Sequence, residues 1–250
     1  MWIFTFIALL FGGSASANTE EIQPRIELLT DAPVQLGLGA VIEGPHRLRL
    51  TTSLGWMPES YIQTINAVST SLGAGYTEAN ATLVESTIKN SLVWSTRIGW
   101  RPFAARGFYF HGGYTFAGLG GGATTQELIE GLTGVTAEER QTPQQRSGQE
   151  PLYIDAAATL HLVSLELGWE WTLWESVEEA NAHEVILRTG LGWSYTFAAT
   201  AELKSRSDSN RPFVEESLRR LEAAGEEYLI DLSKTYLHPP SITLAIGYLW

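Results

Sequence analysis

Most of this chain alternates between apolar residues and small or polar residues, which is the period-2 pattern of a β-strand with one apolar face. Seven segments alternate clearly, and a shorter eighth segment covers residues 25–30, ahead of an Asp-Ala-Pro turn. The clear segments are residues 34–42, 47–56, 92–101, 108–116, 152–174, 185–197 and 241–250. No turn sequence interrupts the alternation in residues 152–174, so we count them as one long strand. The pattern therefore predicts about eight strands.

A short motif, an aliphatic residue followed by Gly and an aromatic residue, recurs inside five of these segments. It occupies residues 54–56, 98–100, 167–169, 191–193 and 246–248. In each copy the aliphatic and aromatic side chains share one face of the strand, and the Gly lies on the other face. The predicted sheet therefore has large apolar residues on one face and very little side-chain volume on the other.

Three longer stretches between the strands have helical periodicity instead. They are residues 58–90, 119–151 and 201–240. The last stretch contains an amphipathic helix from Pro212 to Tyr236, which ends shortly before a Pro-Pro pair. Its apolar stripe must be buried, and we expect the helical insertions to pack together as a lid.

The lengths of the connections predict the topology. Short links follow the second, fourth and sixth strands, and the three helical insertions follow the third, fifth and seventh. All three insertions therefore leave the sheet at one end, and both chain termini lie at the other end. Short turns at one end and long loops at the other are typical of outer-membrane barrels, which have an even number of strands. We predict an all-β membrane barrel of about eight antiparallel strands, with three long loops containing short amphipathic helices.

The composition of the two faces indicates which one is outside. A water-facing strand surface normally carries many Lys and Glu, whereas the polar face here carries mainly Gly and Ser. Small residues suit the narrow interior of an eight-stranded barrel, and large apolar residues suit a lipid-facing exterior. Aromatic residues concentrate near both ends of the strands, as in the aromatic belts at membrane interfaces. The predicted interface residues are Trp56, Trp100, Trp169, Trp171, Trp193 and Tyr195.

The amino terminus and the overall composition limit the function classes. Residues 2–11 form an apolar run too short to span a bilayer as a helix, and residues 15–17 (ASA) have the pattern of a signal-peptide cleavage site. We predict a signal peptide at residues 1–17 and a single barrel domain at residues 18–250. The net charge of −12 disfavours a nucleic-acid partner. Because there is no Cys, and the five His show no metal-ligand spacing, the sequence predicts no metal and no cofactor.

The last eight residues, TLAIGYLW, resemble the terminal β-signal of bacterial outer-membrane β-barrel proteins. In that class the apolar, aromatic-ended strand is read by the barrel-assembly machinery, and the matching positions here are Ile246, Tyr248 and Trp250. Most members end in Phe, so the terminal Trp departs from the usual pattern. The chain is similar in size to the small, OmpA-like eight-stranded members. The resemblance implies location in the bacterial outer membrane, with lipid and the assembly machinery as partners.

Charged residues on the small-residue face are the candidate functional residues. They are Arg47, Arg49, Arg97, Arg101, His111, Glu166, Glu170 and Arg188. Charges in a confined lumen must be paired, so we expect a salt-bridge network that fills the barrel. The alternative is a pore constriction or a binding site. No spacing indicates a nucleophile, a base and an orienting acid, so a hydrolase based on His111 is disfavoured.

These features favour a structural or surface-interaction protein over an enzyme. Two alternatives remain open. One is a small-solute pore or ligand-binding barrel. The other is a soluble periplasmic carrier of lipid that resembles a lipocalin, whose apolar face would line the inside. The sequence identifies neither a surface partner nor a small ligand, and we expect a monomer.

Overall fold

The computed structural model describes residues 23–71, 77–88, 90–103, 107–124, 129, 153–178, 181–205, 212–238 and 240–249. The predicted signal peptide and Trp250 lie outside these residues. Most of the helical insertion predicted at residues 119–151 lies outside them as well.

Eight antiparallel strands, each paired with its neighbours in sequence, form a sheet that closes on itself as a barrel. They are β1 (Gln23–Ala32), β2 (Gln35–Glu43), β3 (Leu48–Trp56), β4 (Asn90–Trp100), β5 (Phe108–Thr124), β6 (Tyr153–Glu178), β7 (Asn181–Ser205) and β8 (Pro240–Leu249). Closure comes from the pairing of β1 with β8, in which Leu28 lies opposite Ile246. The prediction of about eight antiparallel strands is confirmed, and β6 is a single strand as predicted.

β6 and β7 are longer than the alternation predicts. They contain 26 and 25 residues, whereas β1 to β4 and β8 contain between 9 and 11. At the end of the barrel from which the long loops leave (the loop end), β5, β6 and β7 continue as a three-stranded wall. The wall consists of residues 117–124, 153–161 and 198–205. The alternation does not reveal these extensions because Ala and Gly replace most of the large apolar residues there.

In the described part of the chain, three α-helices with described bounds lie over the loop end of the barrel. They are α1 (Glu59–Ser71), α2 (Glu78–Thr87) and α3 (Pro212–Tyr236). α2 begins with a capping box in which Thr77 and Asn80 hydrogen-bond reciprocally. None of the helices in the described part of the chain is long and apolar enough to cross a membrane.

α3 lies beside β7 where β8 is missing. β8 begins opposite Trp193, so residues 194–205 of β7 have no partner strand on that side among the described residues. Carboxylates of α3 accept hydrogen bonds from the free backbone there. These bonds are Leu203 N–H to Glu226 (2.9 Å) and Ser205 N–H to Glu222 (2.6 Å). The helix therefore satisfies backbone groups that would otherwise form an open sheet edge.

We refer to the three helices and the strand wall together as the cap. Its interior is an ordinary apolar core, which includes Ile62, Leu83, Ile154, Leu229 and Leu232. Two side-chain hydrogen bonds add to the packing: Tyr61 of α1 bonds to Thr30 of β1, and Asn80 of α2 bonds to Tyr228 of α3. The cap thus closes over the barrel mouth with its own hydrophobic core.

Candidate functional site

The barrel interior holds one continuous chain of ion pairs in which positive and negative side chains alternate. Five arginines and five carboxylates take part. They come from strands β1 to β4, β6 and β7, and from the residue that follows β4. From the turn end, opposite the cap, the order is Arg101, Glu43, Arg49, Glu170, Arg25, Glu27, Arg188, Glu166, Arg97 and Asp31. The alternation brings every charge into contact with an opposite charge.

The contacts in this chain are short along its whole length. From the Arg101–Glu43 pair to the Glu166–Arg97 pair, the nitrogen–oxygen distances are 3.1, 2.8, 2.6, 2.7, 2.6, 2.7, 3.1 and 2.5 Å. The last pair joins Arg97 to Asp31. Only Arg101 and Glu43, at the turn end, are partly exposed, and the other eight residues are buried. A buried charge is costly unless it is paired, and here the five positive and five negative charges balance.

Tyr109 lies at the centre of the ion-pair chain. Its ring is 5.7 Å from the guanidinium carbon of Arg49 and 5.7 Å from that of Arg188, so two cations contact one aromatic ring. Its hydroxyl donates a hydrogen bond to Glu166. Tyr109 is fully buried, and it ties strand β5, which contributes no charged member, into the network.

Glycines on neighbouring strands provide the space for these side chains. A Cβ atom on Gly168 would lie 2.2 Å from the Tyr109 hydroxyl, and one on Gly190 would lie 2.7 Å from it. A Cβ atom on Gly99 would lie 1.8 Å from the ring of His111. Gly99 and Gly168 belong to the recurring aliphatic-Gly-aromatic motif, so in those two copies the motif makes room for a large inward side chain on an adjacent strand.

His111 is fully buried, and its ring packs against Tyr109 with the centroids 4.5 Å apart. Within the described ranges neither of its ring nitrogens has a hydrogen-bond partner. The geometry therefore pairs His111 with no serine that could act as a nucleophile. No group of three or more His, Asp or Glu side chains in the described residues is arranged to hold a metal ion.

The lumen changes in character from the turn end to the loop end. Above the ion pairs, the Gln35 amide donates to the hydroxyls of Ser53 (2.8 Å) and Ser95 (3.2 Å). The next layer is apolar and includes Val34, Val93, Ala117, Leu119, Leu160 and Leu162. An apolar cavity of about 30 Å³ lies between this layer and the helices, and a polar cavity of about 100 Å³ opens below the ion pairs. Charged, neutral polar and apolar layers thus follow one another towards the cap.

The outer surface of the barrel has the opposite character. The strand positions that alternate with the lumen residues carry Ile, Leu, Val, Trp, Tyr and Phe, and most of these side chains are exposed. All six predicted interface aromatics lie on this surface, each more than one third exposed. Ile246 and Tyr248 of the predicted assembly signal lie there too, on β8.

The structure brings together most of the charged residues predicted from the sequence. Arg49, Arg97, Glu166, Glu170 and Arg188 are buried in the ion-pair chain, with Arg101 at its turn end and His111 beside it. Arg47 lies apart from the chain. It belongs to a 3-10 helix (Pro45–Arg47) that precedes β3, and its guanidinium donates to the carbonyl oxygen of Pro102 at 3.3 Å. The strand begins one residue later than the alternation suggests, because Pro45 opens this turn.

Sequence reasoning missed five members of the site. They are Arg25, Glu27, Asp31, Glu43 and Tyr109. The signal for three of them was present, because residues 25, 27 and 31 alternate with exposed Ile26 and Leu28 along β1. Glu43 was hidden because it is the last residue of β2.

No protein-family model matches the chain, and no curated protein matches it significantly.

Proposed function

We propose that this protein is a bacterial outer-membrane β-barrel of the small eight-stranded class, with a filled lumen and a capped mouth, and with a structural or surface-interaction role. One observation carries the proposal: the barrel has an apolar, exposed exterior around a buried, charged interior. In water this arrangement would be unfavourable, since exposed apolar area is costly and buried charge gains nothing from the hydrophobic effect. In lipid the apolar exterior is solvated.

The apolar surface has the extent that a bilayer requires. On β6 it runs from Val163 to Trp174, which is twelve residues and covers the about 9–11 that a transmembrane strand needs. Beyond it, towards the cap, the outer face of the same strand carries Ala157 and Thr159. The neighbouring β7 carries the highly exposed ion pair of Glu202 and Lys204 there. This change of composition supports a membrane boundary at the base of the cap.

A soluble lipid carrier fits the geometry poorly. Such a barrel needs an apolar interior that is open to the ligand. Here the interior is occupied by the ion-pair chain, and the apolar layer above it is covered by the helices. A pore is also disfavoured, because each charge in the lumen is already bonded to a neighbour rather than facing an aqueous path. A barrel filled in this way acts through its two ends, which favours an interaction role.

The membrane assignment can be tested by fractionation. The full chain, expressed in a bacterial host with an outer membrane, should sediment with that membrane and resist extraction with alkaline carbonate. On gels it should migrate differently before and after boiling, because a closed barrel resists unfolding by detergent. Release of the protein from cells without detergent would contradict the proposal.

The filled lumen can be tested separately in planar lipid bilayers. The purified protein should give no steady current, because no water-filled path crosses the ion-pair chain. A barrel of known pore-forming activity, purified in the same detergent, serves as the positive control. A steady current from the native protein would favour the pore alternative.

A further inference from the structure

Strands β6 and β7 extend beyond the barrel at the turn end. Residues 171–178 pair with residues 181–187, and we refer to these two segments as the turn-end ribbon. β5 begins opposite Trp169, and the last described residue of β8 lies opposite Glu184. Residues 184–187 therefore still pair with β8, and among the described residues only the tip of the ribbon, residues 176–178 and 181–183, consists of two strands alone. Two strands alone are a marginal structure in water.

One edge of the ribbon has backbone groups with no partner strand in the part of the chain that the structure describes. The last hydrogen bond between β6 and its neighbour on the β5 side runs from the Glu170 N–H to the Gly107 carbonyl oxygen, at 2.9 Å. No described residue pairs with residues 171–178 on that side. Phe103 packs against Phe108 of β5, with the ring centroids 6.3 Å apart. Within the described ranges, this edge thus offers a row of unpaired donors and acceptors.

The loop end shows how this fold covers such an edge when it is not a binding surface. There the free edge of β7 is covered by α3, whose carboxylates accept hydrogen bonds from the backbone N–H groups of Leu203 and Ser205. The edge of β6 at the turn end has no such cover among the described residues. Natural edge strands are often protected by Lys, but residues 171–187 contain neither Lys nor Arg.

The two faces of the ribbon differ in chemistry. Trp171 and Trp174 lie on the outer face, and they are 44% and 53% exposed. On the inner face, Glu175 lies directly opposite Glu184, and neither carboxylate takes part in an ion pair within the described residues. Like charges directly opposite each other destabilise a strand pair. Among the described residues, the ribbon therefore presents an apolar outer face, an acidic inner face whose Glu175 and Glu184 form no ion pair, and an edge without a partner strand.

We propose that the turn-end ribbon is a docking site for an extended, basic polypeptide segment, which adds as a further strand to the free edge of β6. Strand addition pairs the backbone groups of residues 171–178, as in other modes of peptide recognition by a sheet edge. Basic side chains on the inner face of the added strand offset the Glu175–Glu184 repulsion. Apolar side chains on its outer face cover Trp171 and Trp174.

The negative charge of the ribbon disfavours two other candidate occupants, a second copy of the ribbon and an anionic membrane surface. A second copy of the ribbon would bring further carboxylates against Glu175 and Glu184, so pairing between two copies is disfavoured. An anionic membrane surface would be repelled in the same way. A basic strand satisfies the backbone edge and the acidic face at once.

The test uses the full protein folded in detergent micelles and a fluorescent peptide, KVKVKVKV, whose Lys and Val residues lie on opposite faces of a strand. One control peptide is EVEVEVEV, which reverses the charge. The other is KVKVKVKV with every backbone amide N-methylated, which keeps the charge but cannot donate hydrogen bonds. By fluorescence anisotropy, the first peptide should bind at least tenfold more tightly than either control.

Matched variants locate the site. The double variant Glu175→Lys/Glu184→Lys should weaken binding of KVKVKVKV at least tenfold, and Glu202→Lys, at the opposite end of the barrel, should change it less than twofold. Equal binding of the N-methylated peptide, or unchanged binding to the double variant, would overturn the proposal. So would the absence of saturable binding to the native protein, or dimerisation of the native protein through the ribbon.

This inference goes beyond the proposed function and fails separately from it. Gel migration before and after boiling reports whether each variant still forms a closed barrel, independently of peptide binding. Repeating the titration in lipid vesicles adds one further outcome. Loss of binding there would show that lipid covers the ribbon, and this would overturn the docking site while leaving the membrane barrel in place.

Discussion

The barrel and the cap are built on the same strands but have opposite interiors. In the barrel, β6 turns Ser164, Glu166 and Glu170 inward and exposes the Leu and Trp residues between them. In the cap, the same strand turns Ile154 and Ala156 inward, against the helices. The reversal takes place within a few residues and without a break in the strand.

The surroundings of each region, rather than the strand itself, therefore determine which kind of side chain fills its interior. A protein in water gains stability by burying apolar side chains, and the cap does this with a compact core under α3. If lipid surrounds the barrel, as we propose, an apolar side chain gains little by moving inside. The lumen can then hold charged residues, provided that each is paired. Four substitutions, together with their control variants, test this comparison.

The largest effect is expected from removing one partner in the lumen. Glu166 accepts hydrogen bonds from Arg97 (2.5 Å), Arg188 (3.1 Å) and Tyr109. Glu166→Ala leaves two buried guanidinium groups short of a partner and should lower the free energy of unfolding by about 3–5 kcal/mol. The measurement is urea unfolding in lipid vesicles, followed by tryptophan fluorescence.

The control for this substitution is Glu202→Ala, which removes an exposed carboxylate paired with Lys204 in the cap wall. Exposed pairs contribute little, so the change should stay within about 0.5 kcal/mol. A similar loss in both variants would mean that the lumen is solvated like a surface.

In the cap, the largest effect is expected from its apolar core. Leu229 of α3 is buried among Leu83, Ile154 and Leu203. Leu229→Ala should destabilise the cap by about 2–5 kcal/mol. Hydrogen exchange should increase in α3, while migration before and after boiling stays unchanged because the barrel does not depend on this core. Loss of the folded barrel in this variant would show that cap and barrel form one cooperative unit.

Much of the fold could be predicted from the sequence, because alternation and connection length depend only on local chemistry. Because side chains alternate between the two faces of a strand, the sequence predicts on which face of the sheet Arg49, Glu166 and Arg188 lie. The wall of the cap could not be predicted, since its small residues give no apolar periodicity. The position of Arg47 could not be predicted either. The alternation of side chains along a strand does not apply there, because Pro45 replaces the start of the strand with a turn.

The pairing of the charges could not be predicted either. Residues that touch in the lumen are far apart in sequence, as Arg25 and Glu170 are, so only the closure of the barrel brings them together. The role of Tyr109 depends on Gly168 and Gly190 on the two following strands, which alternation cannot relate to it.

A smaller effect is expected at the exterior of the barrel. Leu165 lies on the outer face of β6 and is 60% exposed. In lipid, Leu165→Arg should cost about 2–4 kcal/mol, because the charge would lie in the hydrocarbon region. In water the same substitution at an exposed site would change stability by no more than about 0.5 kcal/mol. Urea unfolding in vesicles distinguishes the two environments.

The matched substitution is Ala157→Arg, on the outer face of the same strand but beside the cap. There the charge meets water, so stability should stay within about 0.5 kcal/mol of the native value. Equal costs at both positions would mean that the surroundings do not change along β6.

The smallest effect concerns how tightly the lumen is packed. A Cβ atom on Gly190 would lie 2.7 Å from the Tyr109 hydroxyl and 2.7 Å from a carboxylate oxygen of Glu166, and both groups are held by other contacts. Gly190→Ala should therefore cost about 1–3 kcal/mol in urea unfolding. Near the cap, a Cβ atom on Gly118 would meet its nearest neighbour at an ordinary 3.5 Å, so Gly118→Ala should be neutral within about 0.5 kcal/mol.

Tyr109→Phe removes one of the two crowded atoms, so in a double-mutant cycle it should recover part of the Gly190→Ala loss. Additive losses would mean that Tyr109 moves freely and that the lumen is not close-packed.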